Sequence, residues 1–208
     1  QWQRINAWND SAELIRDNED MATTPWEFVS MLHPQMKDEQ RHVLEKDGLF
    51  LENAVQMPDD ICLVYLSNHP IEPGWHRLGG ENHIVEIQCR DLDWNHSRFD
   101  PFHQPINDTF ALIAPGVWGS NRFSYRYPQH PDFPKPIAML TDKPIAYRYR
   151  TGRRLGRGRY AVPPGSVYKL ETPIGKSWQE WSEDWFPMEG FPLKRIGAGL
   201  CLALDVPS

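Results

Sequence analysis

AYRYRTGRRLGRGRYAVPPGSVYKL, residues 146–170, carries six arginines: Arg148, Arg150, Arg153, Arg154, Arg157 and Arg159. No acidic residue lies between Asp142 and Glu171, although the 208-residue chain has a formal net charge of -6. Positive charge is therefore concentrated in one stretch, and the remainder is strongly acidic. Four tyrosines and four glycines are interleaved with the arginines. A guanidinium grips phosphate with a planar fork and stacks on flat rings. Aromatics between arginines suit single-stranded nucleic acid, whose bases are free to stack. The flanks (Ala146, Tyr147 and Tyr149; Val162, Val167 and Tyr168) read as strands. The middle, TGRRLGRG, is rich in turn residues and has too little apolar surface to bury. The stretch predicts a long basic hairpin, a finger raised from a sheet. A solvated hairpin with no ligand would show the same composition.

Working outward, 40% hydrophobic and 12% aromatic residues are enough for a core. Nineteen prolines are about twice the usual ~5% and argue for loops, edge strands and short elements against a helical bundle. No apolar run approaches the ~20 residues of a membrane helix, and no secretory leader is evident. The chain begins with Gln1 rather than Met, which reads as a processed or partial chain. Cys62, Cys89 and Cys201 each sit among apolar neighbours and read as buried reduced thiols. A disulfide framework or zinc knuckle is not indicated, and the compartment expected is the cytoplasm.

Residues 10–20 form a short charged helical candidate with Asp10 or Ser11 as cap. Thr24, Pro25 and Glu27 spell a capping box, predicting a helix over PWEFVSML that stops near His33 and Pro34. Residues 48–57 read as extended. DICLVYLS, residues 60–67, is apolar almost throughout and predicts a strand buried on both faces. Further strands are expected at residues 84–89, 110–114, 137–140 and 167–170. Residues 121–136 are a loop rich in proline and aromatics. Ser177 and Glu180 make a second capping box, predicting a helix over residues 178–186. Trp178, Trp181 and Trp185 would share one face of it, a stripe that reads as core. The last segment, LKRIGAGLCLALDV, is a glycine turn followed by a buried strand. Strands with a few helices that do not alternate strictly indicate an α+β fold.

Two glycine turns sit beside basic residues. Gly79 and Gly80 follow Arg77; Gly197 and Gly199 follow Lys194 and Arg195. Glycine backbones with a neighbouring cation can meet a phosphate. Equally, Gly79-Gly80 is a hairpin turn, and the second pattern is no dinucleotide fingerprint, because a strand rather than a helix follows it. Ser166, in Pro163-Pro164-Gly165-Ser166, is no nucleophile elbow and by itself reads as a turn residue. Asp91, Asp93, His96, Asp100 and His103 match no metal-ligand spacing and read as a solvated linker, so no metal or cofactor is expected. His76 and His83 flank the glycine pair and would be the acid and base of an RNA-cleaving enzyme, but no further catalytic group is evident and no enzyme is expected.

Together these pieces resemble the RAMP superfamily of CRISPR effector subunits, and most closely the third subunit of the type III-B Cmr module, a relative of the Cas5-type subunits; its equivalent in a related type III subtype, or a piece of a fused subunit, would fit equally well. KDGLFLENAVQM (residues 46–57) is similar to the family's segment before its glycine motif. HRLGGENHIVEI (76–87) is similar to its LGGE motif, with Asn82 and His83 where arginine is usual. YAVPPGSVYKLE (160–171) resembles its PAGSVY strand, with Pro164 in place of alanine. IGAGLCLAL (196–204) resembles its C-terminal glycine-rich loop. The resemblance implies two ferredoxin-like (RRM-like) modules. The first, 1–93, would be incomplete, since the family's first strand is not visible upstream of Trp26. The second, 94–208, would carry the finger.

It further implies a non-catalytic subunit of a type III effector complex in antiviral defence. The subunit would bind the single-stranded 5′ handle of crRNA and bridge the large Palm-domain subunit to the RAMP backbone subunits. The residues expected to meet RNA are Arg77, Gly79, Gly80, the six finger arginines, Tyr160, Ser166, Lys194, Arg195, Gly197 and Gly199. A metal-independent repeat-RNA endoribonuclease and a protein-only scaffold are the alternatives.

Overall fold

The computed structural model describes residues 2–4, 7, 10–22, 24–37, 42–44, 46, 48–67, 69–78, 83–90, 100–120, 122–151 and 154–204. The chain divides into two compact units, Gln1–Leu92 and Asp93–Ser208. Strands dominate and helices are few and short, as an α+β chain rich in proline should show.

The first unit contains β1 (Trp2–Gln3), α1 (Ala12–Asp17), β2 (Met21–Ala22), β3 (Glu27–Pro34), β4 (Leu49–Gln56), β5 (Gly74–Leu78) and β6 (His83–Ile87). Ser11 caps α1, its side chain accepting from the Leu14 amide. The helix expected over PWEFVSML is a strand. β3 pairs with β4 over eight positions, from Glu27 opposite Gln56 to Pro34 opposite Leu49. The Ser30 hydroxyl donates to Asn53 across the ladder, and the His33 ring stacks on Phe50 at 5.5 Å. A capping box satisfies two amides, whereas this ladder satisfies a whole strand; cross-strand pairing overrides the local signal.

DICLVYLS also departs from expectation. Residues 61–67 form no strand, and Val64 and Tyr65 are exposed. An apolar strand needs a neighbour for its backbone groups, and no described strand pairs with this one. Cys62 and Cys89 are exposed rather than buried, with Cys89 Sγ donating to the Ile71 carbonyl. Cys201 is buried as expected, and burial pushes its thiol pKa well up. Among the described residues no helix is long and apolar enough to cross a membrane.

The second unit contains α2 (Asp100–His103), β7 (Thr109–Leu112), β8 (Trp118–Gly119), β9 (Ser124–Tyr125), β10 (Pro136–Leu140), β11 (Ile145–Tyr147), β12 (Arg150–Thr151), β13 (Arg154–Leu155), β14 (Arg159–Ala161), β15 (Val167–Leu170) and β16 (Cys201–Ala203). Four strands make its central sheet, in the order β10-β15-β7-β16 with every neighbour antiparallel. Ranked by place in the chain, the order is second, third, first, fourth.

Alternation along the two inner strands makes the core. Phe110 and Leu112 of β7, with Tyr168 and Leu170 of β15, are at most 1% exposed. Phe110 and Tyr168 stack at 4.7 Å, and the Trp181 ring meets Phe110 edge-on at 5.4 Å. The buried phenol is satisfied: Tyr168 Oη donates to the Arg126 carbonyl at 2.6 Å and accepts from Trp118 Nε1.

The tryptophan stripe is core, but the helix carrying it is not continuous. Residues 178–180 and 183–185 are separate 3-10 turns. Ser182 caps the second, accepting from the Asp184 amide at 3.3 Å. Splitting the segment there lets Trp181 and Trp185 enter the core beside Phe133, each edge-on to its ring. At the first turn the Glu180 carboxylate accepts from both the Ser177 amide and the Ser177 hydroxyl, at 2.9 and 2.8 Å. Ser177→Ala removes the hydroxyl's bond to the Glu180 carboxylate and should cost about 1 kcal/mol, read as a shift of the urea midpoint without change of slope.

Candidate nucleic-acid interface

The arginine-rich stretch is the outward continuation of the hairpin joining β10 and β15. Leu140 lies opposite Val167 in the sheet. The same two segments pair again as β11 and β14, with Ala146 opposite Tyr160. They pair a third time as β12 and β13, with Thr151 opposite Arg154. Between the second and third pairings the hairpin narrows. The Gly156 amide donates to the Tyr149 carbonyl, and Arg148 Nε donates to the Gly156 carbonyl at 2.7 Å. A Cβ at Gly156 would stand 2.4 Å from the Tyr149 ring, so only glycine allows this close approach.

The base of the finger is clamped by one carboxylate. Arg159 Nε donates to Glu189 Oε1 at 2.7 Å, and the Arg157 amide donates to Glu189 Oε2 at 3.0 Å. The Tyr149 hydroxyl donates to the Glu189 carbonyl, and the Tyr149 ring meets Phe191 edge-on at 5.6 Å. The Arg159 side chain is 3% exposed and that of Glu189 11%. Burial pushes the Glu189 pKa up; the Arg157 amide and the Arg159 guanidinium outweigh it and hold the carboxyl below its ordinary range. Arg159 also donates through Nη1 to the Ser120 carbonyl at 2.7 Å. It is thus the anchor of the finger, set apart from Arg148, Arg150, Arg154 and Arg157. Sequence alone groups all six, because the partner that distinguishes Arg159 lies thirty residues further on.

Arg148, Arg150, Arg154 and the Arg157 side chain are exposed, as is Tyr160 at 64%. Gly152 and Arg153 lie outside the described residues. Ser166 is buried below the finger, its hydroxyl donating to the Pro163 carbonyl at 2.7 Å and hydrogen-bonded to Thr141.

The C-terminal glycine loop is engaged with its own unit. Lys194 Nζ donates to the carbonyls of Gln179 and Trp181, at 2.7 and 2.6 Å, and lies over the Trp178 ring. Arg195 forks onto Glu183, with Nε to Oε1 at 2.9 Å and Nη2 to Oε2 at 3.1 Å. Gly197 ends the 3-10 turn of residues 193–196 in the left-handed conformation. Gly199, at φ 69°, lies against Trp118, where a Cβ would come within 2.1 Å of the indole.

In the first unit, Arg77 is exposed on β5. β5 and β6 pair, with Leu78 opposite His83, while Gly79 and Gly80 lie outside the described residues. His76 and His83 fall on one face of this hairpin, and His76 Nε2 contacts the Glu72 carbonyl at 2.6 Å. Of the acidic linker, Asp91, Asp93 and His96 lie outside the described residues; Asp100 and His103 bound α2 around the buried Phe102.

One part of the surface escaped the sequence reading. The hairpin of β8 and β9 brings Arg122, Phe123, Ser124, Tyr125 and Arg126 to the foot of the finger, where Ser124 Oγ accepts from the Tyr160 amide at 3.1 Å. The signal was present: RFSYRY alternates arginine with aromatics as YRYR does, and no acidic residue lies between Asp108 and Asp132.

No curated protein matches the chain in a sequence comparison. A family model described as CRISPR-associated protein (Cas_Cmr3) matches residues 1–206. The exposed cationic finger, the glycine turns and the LGGE and PGSVY segments therefore belong to a chain of the Cas_Cmr3 family, a subunit of the type III-B CRISPR Cmr complex.

Proposed function

We propose that this subunit holds the single-stranded 5′ handle of crRNA and does so without a catalytic centre of its own, bridging the large Palm-domain subunit to the RAMP backbone subunits. The observation that carries the reading is the division of labour in the finger. Glu189 neutralises one arginine at the base, and Arg148, Arg150, Arg154 and Arg157 are left exposed in a stretch free of carboxylates. Cations held on a rigid stem bind a polyanion without first having to be ordered. The strand order second-third-first-fourth, all antiparallel, is that of the split βαβ arrangement of ferredoxin-like modules. It supports a RAMP fold in which loops and 3-10 turns stand where crossover helices would be. Lys194 and Arg195 contribute less, since their partners are internal.

Counterion release supplies the test. Four phosphate contacts at about 0.7 each give a slope of about −3 for log K against log salt with single-stranded repeat RNA. Affinity indifferent to salt would overturn the reading. Cleavage of repeat RNA in chelator would replace it with a ribonuclease centred on His76 and His83.

A further inference from the structure

We propose that Phe123, Tyr125 and Tyr160 form a base-stacking subsite for unpaired RNA at the foot of the finger, flanked by Arg122 and Arg126. The subsite rests on the RNA-binding reading above and adds a second kind of contact: the finger meets phosphates, and the subsite takes the flat faces of bases. Phe123 is 61% exposed, Tyr160 64% and Tyr125 36%. Three aromatics left in water at one place need a reason, because the same unit buries large rings at Phe110, Trp118, Phe133, Tyr168 and Trp181 and half-buries those of Tyr127, Tyr147, Tyr149, Trp178 and Phe191.

The three come from segments thirty-five residues apart and are joined by the hydrogen bond from the Tyr160 amide to Ser124 Oγ. That bond puts Phe123 and Tyr125, one on either side of Ser124, next to the strand that carries Tyr160. The Ser120 hydroxyl accepts from the amides of Arg122 and Phe123, and the Ser120 amide donates to the Phe123 carbonyl, so the turn presenting Phe123 is itself braced. Tyr160 faces Ala146 across the ladder, and a methyl group leaves the phenol ring uncovered.

Charge complementarity selects the occupant. Arg122 and Arg126 are exposed beside the rings, and Arg148 and Arg157 stand on the adjoining finger. Glu189, the carboxylate at the base, is taken up by Arg159 and the Arg157 amide. Rings among unneutralised guanidiniums fit a single strand of RNA, in which successive bases are free to stack while the backbone meets cations. A duplex hides those faces, so the subsite discriminates single-stranded from double-stranded RNA.

The test uses the full chain with a single-stranded repeat-derived oligonucleotide and the same sequence as a duplex. Phe123→Ala with Tyr160→Ala should weaken single-strand binding roughly 10²-fold, leave duplex binding within about twofold and leave the salt slope unchanged. Tyr160→Phe with Phe123→Tyr keeps both rings and should bind as the parent does. Iodouracil in the oligonucleotide should crosslink to Phe123, Tyr125 or Tyr160. The subsite is overturned if the alanine pair binds the single strand like the parent while the parent keeps its salt dependence; the finger reading then survives alone. It is likewise overturned if single strand and duplex weaken equally, or if in the assembled complex these rings crosslink to a protein subunit instead. A parent chain that binds no RNA removes both readings.

Discussion

Replacing Arg150, Arg154 and Arg157 together by alanine should lower affinity for single-stranded repeat RNA roughly 10²-fold near physiological salt and make the salt slope shallower by about 2. Proteins making 6–10 phosphate contacts bind non-specifically with dissociation constants on the order of 10⁻⁴–10⁻⁶ M, which is about 0.8–1 kcal/mol per contact. Three contacts therefore account for about 2.5–3 kcal/mol, and each removes about 0.7 from the slope. Arg148 is left in place because its Nε ties the two sides of the finger through the Gly156 carbonyl. Arg157 holds Glu189 through its backbone amide, which alanine keeps. The triple variant should thus unfold at the same temperature as the parent. Retention of crRNA at parental occupancy in the assembled complex would mean that the finger grips a protein.

The second large effect lies at the clamp. Glu189→Ala should destabilise the second unit by about 3 kcal/mol, because Arg159 would be left as a buried charge without its partner. Arg159→Met combined with Glu189→Leu removes both charges together and should cost much less than the single change, as buried pairs replaced by apolar groups generally do. Equal losses in the single and double variants would show that packing, not the ion pair, holds the base.

The same carboxylate predicts a pH dependence. Its folded pKa is depressed below the unfolded value near 4.3. Its contribution is therefore full above that value and drains away as pH falls through the folded pKa. The Glu180 and Glu183 pKa values are depressed in the same sense, by Ser177 and Arg195 respectively. Urea stability should be level from about pH 5 to neutrality and fall below about pH 4. In Glu189→Gln that acid limb should be shallower.

Charge segregation, the α+β class and the hairpin around TGRRLGRG were legible along the chain, because each is a property of neighbouring residues. So were the strands β6, β7, β10 and β15, and the Ser11 cap of α1. The failures share a cause. PWEFVSML carries a helix-start pattern and DICLVYLS the composition of a buried strand. Whether either is realised depends on the backbone groups laid beside it: Leu49–Gln56 lies along the first, and no described strand pairs with the second. The six arginines look alike in sequence. Only the tertiary structure separates Arg159 from the other described arginines of the finger, by folding Glu189 onto it, and only the tertiary structure sets RFSYRY at the foot of the finger. The amino-acid order decided where cations and rings are dense; distant contacts decided which of them are spent inside the protein and which face water, since burial and ion pairing are settled by neighbours in space.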